Sequence, residues 1–304
     1  MKNIIRIATR NSPLALEQAR MVSSMLSKHN KVEIVAMVSS GDKVSPKEFK
    51  IHGGKGLFLK ELEESLLRGD TDIAVHSLKD VPVVLENKFS IITISNREDP
   101  SDAFISKKYK TINNLPADAT IGTSSPRRIA MLRNISKDFK IVEIRGNIQT
   151  RLKKMEEQKI DGIILAAAGL HRMSLKQNIS EYIPIERFIP SAGQGILCIE
   201  YLKENKYIEN ILKKYKINTV EKCSIEERNF VREIGGDCMS PIGAHAVIKN
   251  TRMKIDAYVS SLDGSKHIKS SYVIDLKKDS ESVGSYMAKL FIKQGAKKLL
   301  GVKK

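Results

Sequence analysis

The sequence predicts an α/β protein: two units of alternating strand and helix, followed by a small α+β unit. Three observations predict it. Compact apolar runs of strand length alternate with segments of helical period over the first two thirds of the chain. Those runs show little polar alternation, as in strands covered on both faces. From Thr219 the texture changes to one helix and a set of β-like runs.

Ile4–Ala8 reads as a short buried strand. Asn11 or Ser12 then caps a helix with Pro13 at its first position and apolar residues at helical spacing through Leu26. Glu33–Val38 is the next strand. After a polar stretch, Leu57–Arg68 repeats the helical pattern and stops at Gly69, and Asp72–His76 is a compact apolar strand. A second run begins near Ala103, with strands at Thr120–Gly122, Ile141–Ile144 and Gly162–Ala166 separated by helices Arg127–Asn134 and Ile148–Gln158. The last region reads as a helix to Ile234, a Gly-rich turn, strands at Ala244–Ile248, Met253–Ser260 and Ile268–Asp275, and a helix from Ser280 to Gln294.

The 304 residues, 41% of them apolar, can build real cores. Subtracting 35 acidic from 52 basic residues leaves +17, so the preferred partners carry negative charge: nucleic acid, anionic lipid or a carboxylate-rich small molecule. No apolar run approaches the roughly eighteen residues of a membrane span, and Met1–Arg10 lacks a signal-peptide pattern, so a cytoplasmic protein is expected. Three cysteines without a CxxC pair argue against a disulfide framework or a structural zinc site, and no metal is expected.

The lysines spread over helix faces as solvated charge, but the arginines are placed. In Gly122-Thr123-Ser124-Ser125-Pro126-Arg127-Arg128 a strand ends in hydroxyl residues, Pro126 opens a helix, and two guanidinium groups sit on its first turn. Free N–H groups, the helix dipole and two Arg forks can converge there on an anion; the bland alternative is a Ser-Pro cap with solvated arginines. Arg145 directly follows the strand Ile141–Ile144, with Arg151 one turn into the next helix. Arg10 follows Ile4–Ala8, and Arg172 follows Ala166–Leu170. With His76-Ser77-Leu78-Lys79-Asp80, five strand exits carry Arg or Lys, where open α/β sheets bind their ligands. Asp80 beside Lys79 can stabilise a cationic intermediate or shuttle a proton, or simply shape the turn before Val81-Pro82. Gly53-Gly54-Lys55-Gly56 is not a phosphate-binding P-loop, since Phe49 stands where Gly is needed and no Ser or Thr follows the Lys. Nothing beside Lys79 resembles a pyridoxal phosphate site.

Cys198 lies in an apolar stretch and Cys223 in the first turns of a helix, where packing explains both. Cys238 falls in Gly235-Gly236-Asp237-Cys238-Met239-Ser240-Pro241-Ile242-Gly243, a loop just past a helix end that can present a thiol as an attachment point or nucleophile. A protease-like pair with His245 has no geometric support at this spacing.

The blocks RIATRNSPLALEQA (6–19), GGKGLFLKE (53–61), AVHSLKDVP (74–82), REDPSDAF (97–104), GTSSPRR (122–128), RGNIQTR (145–151), PSAGQG (190–195) and the loop 235–243, in this order, resemble the hydroxymethylbilane synthase (porphobilinogen deaminase) family along nearly the whole chain. The resemblance implies two α/β domains like those of type II periplasmic binding proteins and a third, small α+β domain. Their expected limits are 1–95 with 196–216, 96–195, and 217–304. It implies a transferase that adds four porphobilinogens in turn, with loss of ammonia, to a dipyrromethane cofactor held through a thioether at Cys238, and then releases the linear tetrapyrrole hydroxymethylbilane by hydrolysis. Asp80 and Lys79 match catalytic positions. Ser77, Lys79, Asp80, Thr123, Ser125, Arg127, Arg128 and Arg145, with Cys238, match the cofactor-binding set. Arg10, Lys55, Arg145, Arg151, Arg172 and Gln194 match substrate-binding positions, Lys55 on a loop over the cleft. Each porphobilinogen brings an acetate and a propionate, so the growing chain needs many basic partners. Pro126 and the loop 237–240 depart from the family pattern, while the Cys-x-x-Pro spacing holds. The expected partner is porphobilinogen, with no nucleic acid, no membrane and a monomeric state. The runner-up is a non-enzymatic anion-binding protein of the periplasmic type; a nucleic-acid binder ranks third, lacking aromatic, helix-turn-helix or zinc motifs.

Overall fold

The structure is a computed structural model that describes residues 4–38, 59–237, 239–277 and 281–301. Strands β1 (Ile4–Arg10), β2 (Lys31–Met37), β3 (Ile73–Ser77) and β4 (Phe89–Ile94) alternate with helices α1 (Pro13–Leu26) and α2 (Lys60–Arg68). Next come β5 (Asp102–Ile105), β6 (Thr120–Gly122), α3 (Pro126–Arg133), β7 (Lys140–Val142), α4 (Ile148–Glu157), β8 (Gly162–Ala166), α5 (Ala167–Arg172) and β9 (Glu181–Ile183). The chain continues through β10 (Leu197–Leu202), α6 (Lys206–Leu212) and α7 (Asn218–Ile234). It closes with β11 (Ile242–Lys249), β12 (Arg252–Ser260), β13 (His267–Asp275), α8 (Val283–Lys293) and α9 (Ala296–Leu299).

Two compact units result, Met1–Arg97 with Ile196–Glu221, and Glu98–Gly195 with Lys222–Lys304. Each holds a five-stranded sheet, in the orders β2-β1-β3-β10-β4 and β7-β6-β8-β5-β9. The orders correspond strand for strand. In each, four strands run in one direction and the fourth place alone is antiparallel to both its neighbours. The fourth place is always taken by the first strand after the chain crosses between units, β10 in one and β5 in the other. The second unit also carries the antiparallel sheet β11-β12-β13. This is the predicted class: two α/β sheets and a small α+β region.

Helices cover both faces of the first sheet. Ile5, Ile7, Ile73 and Val75 pack with Val22 and Leu26 of α1 and Ile208 and Leu212 of α6, while Ala8 and Ala74 lie under Leu62 and Leu66 of α2. That double cover is why these strands read as unbroken apolar runs, each full burial of a Leu or Ile contributing about 1.5–3 kcal/mol. The second sheet repeats the scheme with Ile121 and Met131 on one face and Ile163, Leu165 and Met155 on the other.

β6 and β8 have the predicted bounds, and α1 begins at Pro13 with the Ser12 side chain accepting from the Ala15 amide. The strand expected over 141–144 is Lys140–Val142, so Arg145 stands three residues past it instead of directly after it. The helix expected from Leu57 begins at Lys60; positions 57 and 58 lie outside the described residues.

Candidate active site

In the first unit, β1 and β3 run parallel and end on the same sheet edge. Arg10 is the last residue of β1, half-buried. Beyond Ser77 the chain makes a short 3-10 turn, Leu78–Asp80. Leu78, buried, donates its amide to Ile196 O at 2.9 Å, and the Val81 amide closes the turn on Leu78 O at 3.1 Å. One buried apolar side chain thus anchors a turn whose next two residues, half-buried Lys79 and exposed Asp80, stand at the carboxyl end of the sheet. The Gln18 Nε2 of α1 donates to Ser77 Oγ at 2.8 Å, tying the helix to that strand end.

Below this turn, on the α2 side, lies a buried ionic group. His76 Nε2 stands 3.1 Å from Glu200 Oε2, with both side chains almost wholly buried. Glu63 of α2 lies against Glu200, and its carboxyl is pushed up to about 7, first by burial and then by the charges of Glu200 and Glu86.

In the second unit, Ser125 caps α3 by accepting from the Arg128 amide, and Pro126 takes the first helical position as the sequence predicts. The guanidinium groups do not point to solvent. Arg127 is 1% exposed and Arg128 6%, and both turn inward onto Asp102, which is fully buried at the start of β5. Arg128 donates Nε and Nη2 to Asp102 Oδ1 at 3.1 and 2.7 Å and Nη1 to Ile164 O at 2.9 Å. Arg127 Nη2 pairs with Asp102 Oδ2 at 2.8 Å, its Nη1 donates to Ile189 O at 2.9 Å, and its Nε to Ser191 Oγ at 3.1 Å. Gln194, also buried, donates Nε2 to the same Asp102 Oδ1 at 3.0 Å and to Pro100 O at 2.7 Å. Burial alone would raise the Asp102 carboxyl; the Arg127 and Arg128 charges outweigh it and hold it well below the usual carboxylate range. Two guanidinium ions against one carboxylate leave one positive charge over.

Thr123 is buried at the end of β6, its amide donating to Val142 O at 3.0 Å and its hydroxyl accepting from the Ser125 amide at 3.2 Å. Arg145 and Arg151 flank the start of α4. Gly146 between Arg145 and the Asn147 cap has φ +116°, and a Cβ there would meet Thr150 Cγ2 at 2.7 Å, so the tight approach needs glycine. Arg151 Nε donates to Gly146 O at 2.8 Å and Arg145 Nε to Glu143.

The structure corrects the position of Arg172. The sequence places it at a strand exit; it is the last residue of α5, because β8 ends at Ala166 and the Ala-Ala-Gly-Leu run beyond it is helical. Arg172 Nη2 donates to Gly195 O at 2.8 Å, while its Nε is buried with no hydrogen-bond partner among the described residues. Burial pushes this guanidinium down to about 10, against the opposing charge of Glu98.

Ser77, Lys79, Asp80 and Arg10 therefore gather on the first unit's sheet edge. Arg127, Arg128 and Gln194 gather around one buried carboxylate of the second, with Thr123 and Ser125 leading into the helix that carries the two arginines. Arg145 and Arg151 share the start of α4. Lys55 and Cys238 lie outside the described residues. Of the neighbouring residues, the Ser240 amide donates to Asp237 O at 3.1 Å and the Ser240 hydroxyl to Asp237 Oδ1 at 2.9 Å. Among the described residues no cluster of His, Cys, Asp or Glu is suited to a metal ion, and no helix is long and apolar enough to cross a membrane.

Sequence reasoning missed Asp102. Its signal is a carboxylate heading the apolar run Ala103-Phe104-Ile105, where an acid can be buried only with cationic partners. It also missed Glu227 of α7, fully buried, which accepts from the amides of Gly193 and Ala246, both at 2.7 Å.

Residues 5–210 match the family model described as porphobilinogen deaminase, dipyromethane cofactor binding domain, and residues 221–293 match porphobilinogen deaminase, C-terminal domain. The porphobilinogen deaminase of Campylobacter hominis is 43% identical over 302 residues, covering 98% of this chain and 97% of that protein. That of Desulforamulus reducens is 40% identical over 303 residues, covering 99% and 98%. Among solved structures, a nutrient-binding protein of Burkholderia cenocepacia bound to methionine overlaps with TM-score 0.43 and 14% identity over 75% of this chain and 95% of its own.

Proposed function

The chain belongs to the porphobilinogen deaminase family, and from that membership we propose that its basic strand ends bind the carboxylates of porphobilinogen and of a tethered dipyrromethane. The activity is that of a transferase, hydroxymethylbilane synthase: four porphobilinogens joined with loss of ammonia and released by hydrolysis as the linear tetrapyrrole. The observation that carries the reading is the match of two family models to 5–210 and 221–293, at 43% identity to a relative over almost the full length of both chains.

The residues present fit the cofactor. Its side chains are acetates and propionates; the second unit holds two buried guanidinium ions on one carboxylate and a buried Arg172 Nε without a hydrogen-bond partner among the described residues. Both features suit added carboxylates. Bound at Cys238, dipyrromethane supplies the pyrrole carbon onto which substrate is added. Arg127, Arg128 and Arg145, with the hydroxyls of Ser77, Thr123 and Ser125, hold its acid side chains. Arg10, Lys55, Arg151, Arg172 and Gln194 take those of the incoming substrate and the growing chain.

Asp80 stands exposed at the tip of an anchored turn, so its carboxylate reaches ligand without itself being buried. It moves a proton to the departing amine nitrogen and offsets positive charge on the pyrrole; Lys79, one residue before it, binds a neighbouring carboxylate. The small region 217–304 forms a third domain carrying the attachment loop, beside 1–95 with 196–216 and 96–195. The protein works as a cytoplasmic monomer on a small-molecule substrate, without nucleic acid or membrane.

The test is the intact mass of the denatured protein, with Cys238→Ser and Asp80→Asn variants and porphobilinogen turnover beside it. Expected are a mass increase equal to two porphobilinogens less two ammonias, absent in Cys238→Ser, and retained in Asp80→Asn with turnover lowered about 100-fold or more. A bare chain that porphobilinogen cannot charge would leave the second reading, an anion-binding protein of the same architecture. Near-normal turnover of Asp80→Asn would remove Asp80 from its role.

A further inference from the structure

We propose that Asp102 is a positioning residue: its buried carboxylate fixes the two guanidinium planes of Arg127 and Arg128 and sets the net charge that a carboxylate of the ligand completes. The inference rests on the reading of this site as a binder of pyrrole carboxylates.

Geometry carries the first half. Asp102 is fully buried and meets both arginines, Arg128 through Nε and Nη2 on one oxygen and Arg127 through Nη2 on the other. The remaining contacts of the arginines are uncharged: Ile164 O for Arg128, and Ile189 O, Ser191 Oγ and Met131 Sδ for Arg127. No other carboxylate pairs with them among the ion pairs of the described residues. Adjacent arginines on one helical turn would repel; the carboxylate between them lets both stay ionised inside the protein. Gln194 donates to the same Oδ1 at 3.0 Å, a third side chain that restrains the carboxylate between the arginines.

Charge carries the second half. The site sums to one positive charge in a place shielded from water, where a unit charge is strongly felt. If both arginines had carboxylates of their own, the site would be neutral and indifferent to anions. If Asp102 were neutral, two like charges would splay the guanidinium groups apart. One acid for two bases gives a fixed geometry and an unfilled demand for one anion. Asp102 touches no ligand in this scheme; it acts through the arginines.

Two readouts on the full chain test this. The first is a melting-temperature cycle of Asp102→Asn, Arg127→Met, Arg128→Met and the two double variants. Expected is that each double variant melts above Asp102→Asn alone, since removing one stranded cation relieves the other. Additive losses would overturn the proposal. The second is pyrrole loading by intact mass and the KM for porphobilinogen. Asp102→Asn should load less than about a tenth of wild type or, where loaded, show KM raised about ten-fold with kcat changed less than about three-fold; Asp102→Glu, which keeps the charge, should recover part of both. Full loading and unchanged KM in a variant of lowered melting temperature would mark Asp102 as structural only and overturn the proposal. If Asp102→Asn does not fold, Asp102→Glu and the double variants decide on the same criteria. If wild type itself takes no pyrrole, the function fails, while the melting cycle still decides whether Asp102 holds the arginines.

Discussion

Glu63 shows how one side chain can set the pH response of a unit. Its carboxyl is raised from 4.5 to about 7 because α2 half-buries it beside Glu200, with Glu86 adding to the effect and His76 paired to Glu200. The folded state therefore holds a proton that the unfolded chain releases near 4.5, so stability declines as pH rises from 4.5 through about 7 and then levels off. Glu63→Gln should flatten the change in melting temperature between about pH 5 and about pH 8; an unaltered pH slope would show that another group is responsible. Asp102 works in the opposite sense, its stabilisation present above the ordinary carboxylate range and lost only at strongly acid pH. The difference between these acids marks the limit of reading residues in sequence. The arginines at 127, 128, 145 and 151 are legible because Arg after a strand, beside Gly, Ser or Pro, is a local pattern. The buried acids are not, because Asp102 meets Arg128 across 26 positions and Glu200 meets His76 across 124.

Turn chemistry decides where the elements deliver their charges. Arg145 and Arg151 flank the start of α4 because Gly146 adopts φ +116° and leaves room for Thr150. Gly146→Ala should cost about 1–3 kcal/mol and displace both arginines, read as a lower melting temperature with a raised KM for porphobilinogen; unchanged values would mean that the turn tolerates a Cβ. The same dependence on local signals explains which elements the sequence disclosed. Caps and apolar runs bounded by turn residues identify α1, β6, α3 and β8 to within a residue or two. β5 and β9 are four and three residues long, too short to show a period, and α5 carries a Gly inside six residues. What places β5 in its sheet is pairing with β8 and β9, which no local pattern encodes.

For the molecule as a whole, the first sheet takes its fourth strand from beyond a crossing, whereas β5 to β9 of the second follow one another in a single segment. In the first unit β10 lies between β3 and β4, and β4 has β10 as its sheet neighbour. A fragment ending at Arg97 should thus lack dispersed amide NMR signals and cooperative melting, and fusing residues 196–221 to it through a flexible linker should restore both. A fragment 1–97 that melts cooperatively would contradict this account. The same arrangement sets a timetable on the ribosome. When Arg97 emerges, the open side of β3 has no partner until 98 more residues, Glu98 to Gly195, have been translated. At about 5–20 residues per second that is a wait of roughly 5–20 s, during which an apolar sheet edge is open to strands from other nascent chains. The sheet begun first is completed only after the strands of the second sheet have been made, and its yield in a cell depends on how well that edge is guarded during elongation.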